Sequence, residues 1–199
     1  MKNKILSCLS ALVLFLLIFS FIHILHFRIF QVEVVLYSTV VDLALALTVL
    51  ACLTTFTAIG KSLSVLEITL LYFNLALIGS LFAVMGPTVI DRSLSIYILE
   101  KIDQRGGGIK QSAFAEIFRI EYMKEHRLVD VRLTEQFRTG SARLDGQCVR
   151  ITPLGRLIVS FTQFYRRNLL PKRRVLLGSE TDALTDPFRH SSVESNYRC

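Results

Sequence analysis

Residues 5–27 read ILSCLSALVLFLLIFSFIHILHF, and this run decides the fold class. A helix rises about 1.5 Å per residue, so roughly 20 apolar residues cross the hydrocarbon of a bilayer. The run is long enough, and it lacks the polar stripe that a helix of a water-soluble protein turns to solvent. Two further runs, Val34–Ile59 and Leu63–Met85, meet the same test. Short turns around Arg28–Glu33 and Gly60–Ser62 join them, so an antiparallel three-helix transmembrane bundle is expected over residues 1–88. Before Gly86 the ionisable side chains are few: Lys2, Lys4, Arg28, Glu33, Asp42, Lys61 and Glu67, with His23 and His26. From Asp91 onward charge recurs every few residues, which separates a membrane half from a water-soluble half.

The first span could in principle be a signal peptide. Ile24-Leu25-His26-Phe27 offers no small-x-small cleavage site ahead of the first turn, so the span is expected to remain as an anchor. Three spans place the two ends of the chain on opposite sides of the membrane. One side carries Lys2, Lys4 and Lys61; the other carries Arg28, Arg92, Lys101, Arg105 and Lys110. That bias favours a multi-pass inner (plasma) membrane protein with its C-terminal half in the cytoplasm. Cysteine usage points the same way: Cys8 and Cys52 lie in spans, and Cys148 and Cys199 lack the spacing of a disulfide framework.

Polar residues inside the spans are the first candidate sites. An unpaired carboxylate at the depth of Asp42 is costly. Counting back from the turns sets Asp42 near the level of Ser20 and Ser80, with His23 about one helical turn away, and Glu67 beside Thr54, Thr55 and Thr57. One reading makes Asp42 and Glu67 part of a proton or substrate path. The other makes Ser20, Asp42, Glu67, Asn74 and Ser80 packing contacts, within the bundle or to a second membrane protein or subunit. Three spans enclose no pathway without oligomerising, which favours contacts.

In the soluble half, Gly86-Pro87 is expected to end the third span, and Asp91 or Ser93 to cap a helix carrying Leu94, Tyr97, Ile98 and Ile102. Gly106-Gly107-Gly108 stops that helix. A second follows from Ser112 with Phe114, Ile117, Phe118 and Tyr122 on one face. A third runs from Glu125 to Thr139 with Val129, Leu133 and Phe137 inward, and Gly140 ends it. Residues Ala142–Ile151 alternate around Asp145-Gly146, a hairpin signal, and a last helix spans Leu154–Leu170 before Pro171.

This order resembles a winged helix-turn-helix domain. The glycine break, Gly140, the Asp-Gly hairpin and the segment Val149-Arg150-Ile151-Thr152-Pro153-Leu154-Gly155-Arg156 carry the resemblance, over about Asp91–Leu170. It implies a small α+β soluble domain over residues 89–175, whose third helix and wing contact DNA or another partner. The surface so implied comprises Arg132, Glu135, Arg138, Arg143 and Arg150. Seventeen Lys and Arg against nine Asp and Glu between Asp91 and Arg174 suit a polyanion.

Two points argue against DNA. Asp130 and Glu135 would share the exposed side of the third helix, and few residues separate the membrane from the domain, so a duplex would meet anionic headgroups. Anionic lipid is a simpler destination for Arg92, Arg166, Arg167, Lys172, Arg173 and Arg174. No nucleophile elbow, phosphate loop or zinc spacing occurs. Residues 176–199 read as a disordered tail. A non-catalytic inner-membrane accessory or adaptor is therefore expected, without cofactor or metal, partnered by lipid and by a membrane protein or its own copies. An envelope or glycan-assembly complex is one setting for it. The alternative is a membrane-tethered winged-helix transcription regulator.

Overall fold

The computed structural model describes residues 2–57, 62–189 and 199. Ile59, Gly60 and Lys61 in the second turn, and residues 190–198 of the tail, lie outside the described residues. The chain divides into two compact units, Met1–Ala115 and Glu116–Cys199.

Three helices long and apolar enough to cross a membrane form the N-terminal unit: α1 (Lys2–Ile29), α2 (Val35–Phe56) and α3 (Val65–Arg92). This is a multi-pass membrane protein. Phe15, Phe19, Leu43, Ala46, Leu50 and Leu75 make the centre of the bundle, and the rings of Phe15 and Phe19 stack with centroids 5.6 Å apart. A methyl group at Gly79 would overlap the Leu43 side chain, so glycine there lets α3 approach α2 closely. Leu17, Phe21, Leu66 and Leu81 point outward, as lipid-facing residues must when the bilayer supplies the apolar solvent.

Pro87 does not end the third span. The helix passes through a π-helical segment, Val84–Thr88, and continues to Arg92. A proline lacks an N–H and its ring crowds the carbonyl one turn back; widening that turn relieves both conflicts and keeps the helix going. Ser93 rather than Asp91 caps the next helix, α4 (Leu94–Gln104), its Oγ accepting from the backbone N–H of Ile96 at 3.2 Å.

Helix α5 covers residues 111–125 and is irregular. A 3-10 turn leads into a short α-helical turn, then a π-helical segment Ile117–Tyr122, then a final turn Met123–Glu125. Arg127 takes a left-handed conformation, φ +44°, so α6 starts at Leu128 and runs to Arg138, later than the expected Glu125. Strands β1 (Ala142–Asp145) and β2 (Cys148–Ile151) pair antiparallel, Asp145 opposite Cys148. The loop is thus Gly146-Gln147, one residue beyond the expected Asp145-Gly146. Gly146 with φ +62° supplies the positive φ that a II′ hairpin needs at its first position.

Helix α7 (Pro153–Asn168) follows directly. Thr152 caps it, accepting from the Gly155 N–H at 3.1 Å while donating its hydroxyl to the Gly140 carbonyl at 2.6 Å. Pro153 occupies the first turn, where its missing N–H costs nothing. A methyl at Gly155 would overlap the Ser141 carbonyl oxygen and crowd Ile151.

The order helix, helix, helix, hairpin, helix expected from residues 89–175 is present. The stretch read as a tail is not without structure. Strands β3 (Arg174–Leu176) and β4 (Ser179–Thr181) form a second hairpin across its start, turning at Leu177 (φ +48°) and Gly178 (φ +83°). A disulfide joins Cys148 to Cys199. Two cysteines separated by 51 residues leave no spacing signal in a sequence, which is why this pairing was not foreseeable.

Candidate functional site

Asp42 is 0% exposed, buried between α1 and α2. Its carboxylate is met on both oxygens by α1: His23 donates through Nδ1 to Oδ2 at 2.9 Å, and His26 through Nδ1 to Oδ1 at 2.5 Å. His23 and His26 stand three residues apart, so they share one face of α1. Both imidazoles are mostly shielded and lie against rings: His23 sits 4.2 Å from the Phe27 centroid and 6.0 Å from that of Phe82. A carboxylate accepting two donors inside apolar surroundings satisfies the demand that burial makes of it.

The sequence count placed Asp42 level with Ser20 and Ser80, and those are not its partners. Side chains on a helix lean toward its N-terminus. On antiparallel helices, Asp42 therefore leans toward the α1–α2 turn while His23 and His26 lean away from it, and the groups meet between the two backbone levels. The spacing His-x-x-His on α1 was the available signal for the second partner.

Ser20 and Ser80 are exposed on the bundle surface. Ser20 and His23 supply the polar groups of a cavity of about 250 Å³ otherwise walled by Phe15, Phe19, Gly79 and Phe82 among others. Asn74, exposed on α3, donates Nδ2 to the Leu70 carbonyl of its own helix at 2.7 Å. Glu67 faces Lys4 rather than threonines: Lys4 Nζ donates to both its oxygens at 2.9 and 3.0 Å, and Glu67 forms a capping box with Ser64 at the start of α3. Thr54 instead shares a hydroxyl hydrogen bond of 2.7 Å with Tyr72. The five intramembrane positions thus do not converge on one site; Asp42 with two histidines is the buried cluster.

In the C-terminal unit the expected partner surface is partly redrawn. Val129, expected inward, is 53% exposed, and Glu135, expected outward, is buried. Arg132, one turn earlier, donates to Glu135 at 2.9 Å, so the carboxylate enters the interior with its charge met and the helix turns that face inward. Arg150 pairs with Asp145 at 2.8 Å across the first hairpin, and Arg127 with Asp130 at 2.8 Å. Arg138 and Arg143 remain exposed. The hairpin has one polar face, Arg143, Asp145, Cys148 and Arg150, and one apolar face, Ala142, Leu144, Val149 and Ile151. Leu144 is 61% exposed on that apolar side.

Three of the six expected lipid-contacting cations are engaged by the second hairpin and the residues after it. Arg166 donates to the Leu184 carbonyl at 3.3 Å, Arg167 lies 3.8 Å from Asp186, and Arg173 lies 3.8 Å from Glu180. The Arg189 guanidinium, hydrogen-bonded to Asp182, holds that carboxyl below the usual carboxylate range. Arg92 ends α3, close to Asp91. No cluster of three or more His, Cys, Asp or Glu able to hold a metal ion occurs among the described residues. No family model, no curated protein and no solved structure matches the chain.

Proposed function

We propose that this chain is a non-catalytic membrane adaptor: a three-helix anchor carrying a winged-helix-like module that docks a protein partner through α6 and the first hairpin. What supports the reading is the character of that surface. Its apolar strand face is open at Leu144 and Val149, while the charges of Arg132 and Arg150 are already met by Glu135 and Asp145. Phosphate binding draws on cations free to release counterions; a protein partner draws on exposed apolar area ringed by polar groups. The intramembrane trio serves as an internal tie between α1 and α2. Ser80 and Ser20 offer the outward polar contacts for a neighbouring membrane protein or a second copy.

We place the C-terminal unit in the cytoplasm of an inner-membrane protein, on the distribution of Lys and Arg about the spans. One observation favours the opposite orientation. The Cys148–Cys199 bond is of a kind that persists in oxidising compartments.

A photo-crosslinking residue at Leu144, in membranes from the native host, tests the docking. The expected result is one protein adduct of defined mass that disappears when Val149 is replaced by Asp. Absence of an adduct, with duplex DNA binding whose affinity falls by several counterions with salt and is lost in Arg138→Ala, would put the regulator reading in its place.

A further inference from the structure

Helix α7 has the make-up of a helix that lies in a membrane surface. At about 100° per residue, Leu154, Leu157, Ile158, Phe161, Phe164 and Tyr165 fall on one side, within an arc of roughly 120°. That side is open: Leu157 is 67%, Phe161 62% and Phe164 58% exposed. The helix meets the rest of its unit elsewhere, through Gly155 against Ser141. Arg156, Gln163 and Arg167 occupy the opposite side. In the whole of Glu116–Cys199, Ile117 and Tyr122 are the only buried apolar side chains among the described residues. The stripe is therefore surplus to the interior of its own unit.

Its charge selects the occupant. Helix α7 carries Arg156, Arg166 and Arg167 and no acidic residue, and Lys172, Arg173 and Arg174 follow it; set against Glu180, Asp182 and Asp186, two of which lie near Arg173 and Arg167, residues 153–189 keep an excess of four positive charges. An anionic bilayer accepts both features at once, apolar side chains below the headgroups and arginines among them. The second hairpin adds a matching element, for Leu177 at its tip is 91% exposed directly after the basic run. The membrane is always at hand, because the same chain spans it.

We propose that α7 is an in-plane amphipathic helix that inserts its Leu157–Phe161–Phe164 stripe into an anionic bilayer surface, with the Leu177 hairpin tip as a second contact. The inference is independent of partner docking, which uses α6 and the first hairpin.

The chain contains no tryptophan, so Phe161→Trp creates a single fluorescent reporter on the stripe, and Gln163→Trp one on the opposite side. The full-length protein is placed in nanodiscs, where both leaflets are reachable, containing phosphatidylcholine with or without phosphatidylglycerol. Lipids brominated near the top of the acyl chain should lower the 161 reporter's emission about twofold in the anionic discs and leave the 163 reporter nearly unchanged. Aqueous iodide should act on 163 and not on 161. Replacing Lys172, Arg173 and Arg174 by Gln should remove the difference between the two lipid compositions. Iodide quenching of 161 equal to that of 163 would overturn the proposal. So would a 161 reporter shielded from bromine and iodide alike, which would mean that protein, a second copy or a partner, covers the stripe. Leu157→Trp repeats the measurement should the 161 variant fold poorly.

Discussion

Asp42 owes its place at membrane depth to two imidazoles. Removing one donor leaves a carboxylate half satisfied in apolar surroundings, whereas removing all three groups leaves nothing to satisfy. His26→Ala should therefore lower the stability of the bundle by about 3 kcal/mol, while the triple replacement of His23, Asp42 and His26 by Leu should return it to within about 1 kcal/mol of the natural chain. Unfolding in mild detergent by titration with sodium dodecyl sulfate measures both. A triple variant less stable than the single one would show that the trio stabilises more than its own burial costs. The cost of a lone carboxylate was legible from residue types alone. Of its partners, His23 was among the candidates and His26 was not, because a depth count tracks backbone levels and ignores the lean of side chains along antiparallel helices. Glu67 shows the same limit: the cation it pairs with among the described residues, Lys4, lies on the far side of two turns in sequence.

At the scale of elements, the segment Ile151-Thr152-Pro153-Leu154-Gly155 sets the start of α7. Threonine caps, proline opens the first turn, and glycine lets the helix rest against a carbonyl of the preceding turn. Ser141 cannot withdraw easily, since its carbonyl also accepts from the Thr152 N–H at 3.1 Å. Gly155→Ala should consequently destabilise the contact between α7 and the hairpin by about 1–3 kcal/mol. Faster amide hydrogen exchange across 151–158, with the three spans unchanged, is the expected readout; exchange equal to the natural chain would mean that the backbone yields without strain. Elements that were misplaced share a cause. Pro87 inside α3, the shifted start of α6 and the one-residue slip of the hairpin loop each involve a backbone choice between two local geometries, π against break, αL against helix, II′ against I′. Local preference costs about 3 kcal/mol at Pro87 and about 1–2 kcal/mol at Arg127, and packing outweighs it.

The whole molecule poses one question that its parts answer differently: which side of the membrane holds Glu116–Cys199. Lys and Arg in short flanks act during insertion, when Arg28, Arg92, Lys101 and Arg105 favour the cytoplasm. The Cys148–Cys199 bond acts later, and it closes a loop of 51 residues, worth about 4 kcal/mol to a unit with little apolar interior. Geometry permits the bond; the compartment decides whether it forms, since cytosolic thiols are held reduced. The cytoplasmic placement therefore carries a definite consequence. In cells quenched with acid and alkylated with a maleimide polymer, a chain lacking Cys8 and Cys52 should gain two labels without a reductant, and protease added outside intact cells should leave 93–189 uncut. Label appearing only after a dithiol, together with external cleavage in that stretch, would reverse the orientation. The spans and the hairpin would stand as described, but the surface at Leu144 and the stripe on α7 would then face partners and lipid of the outer side.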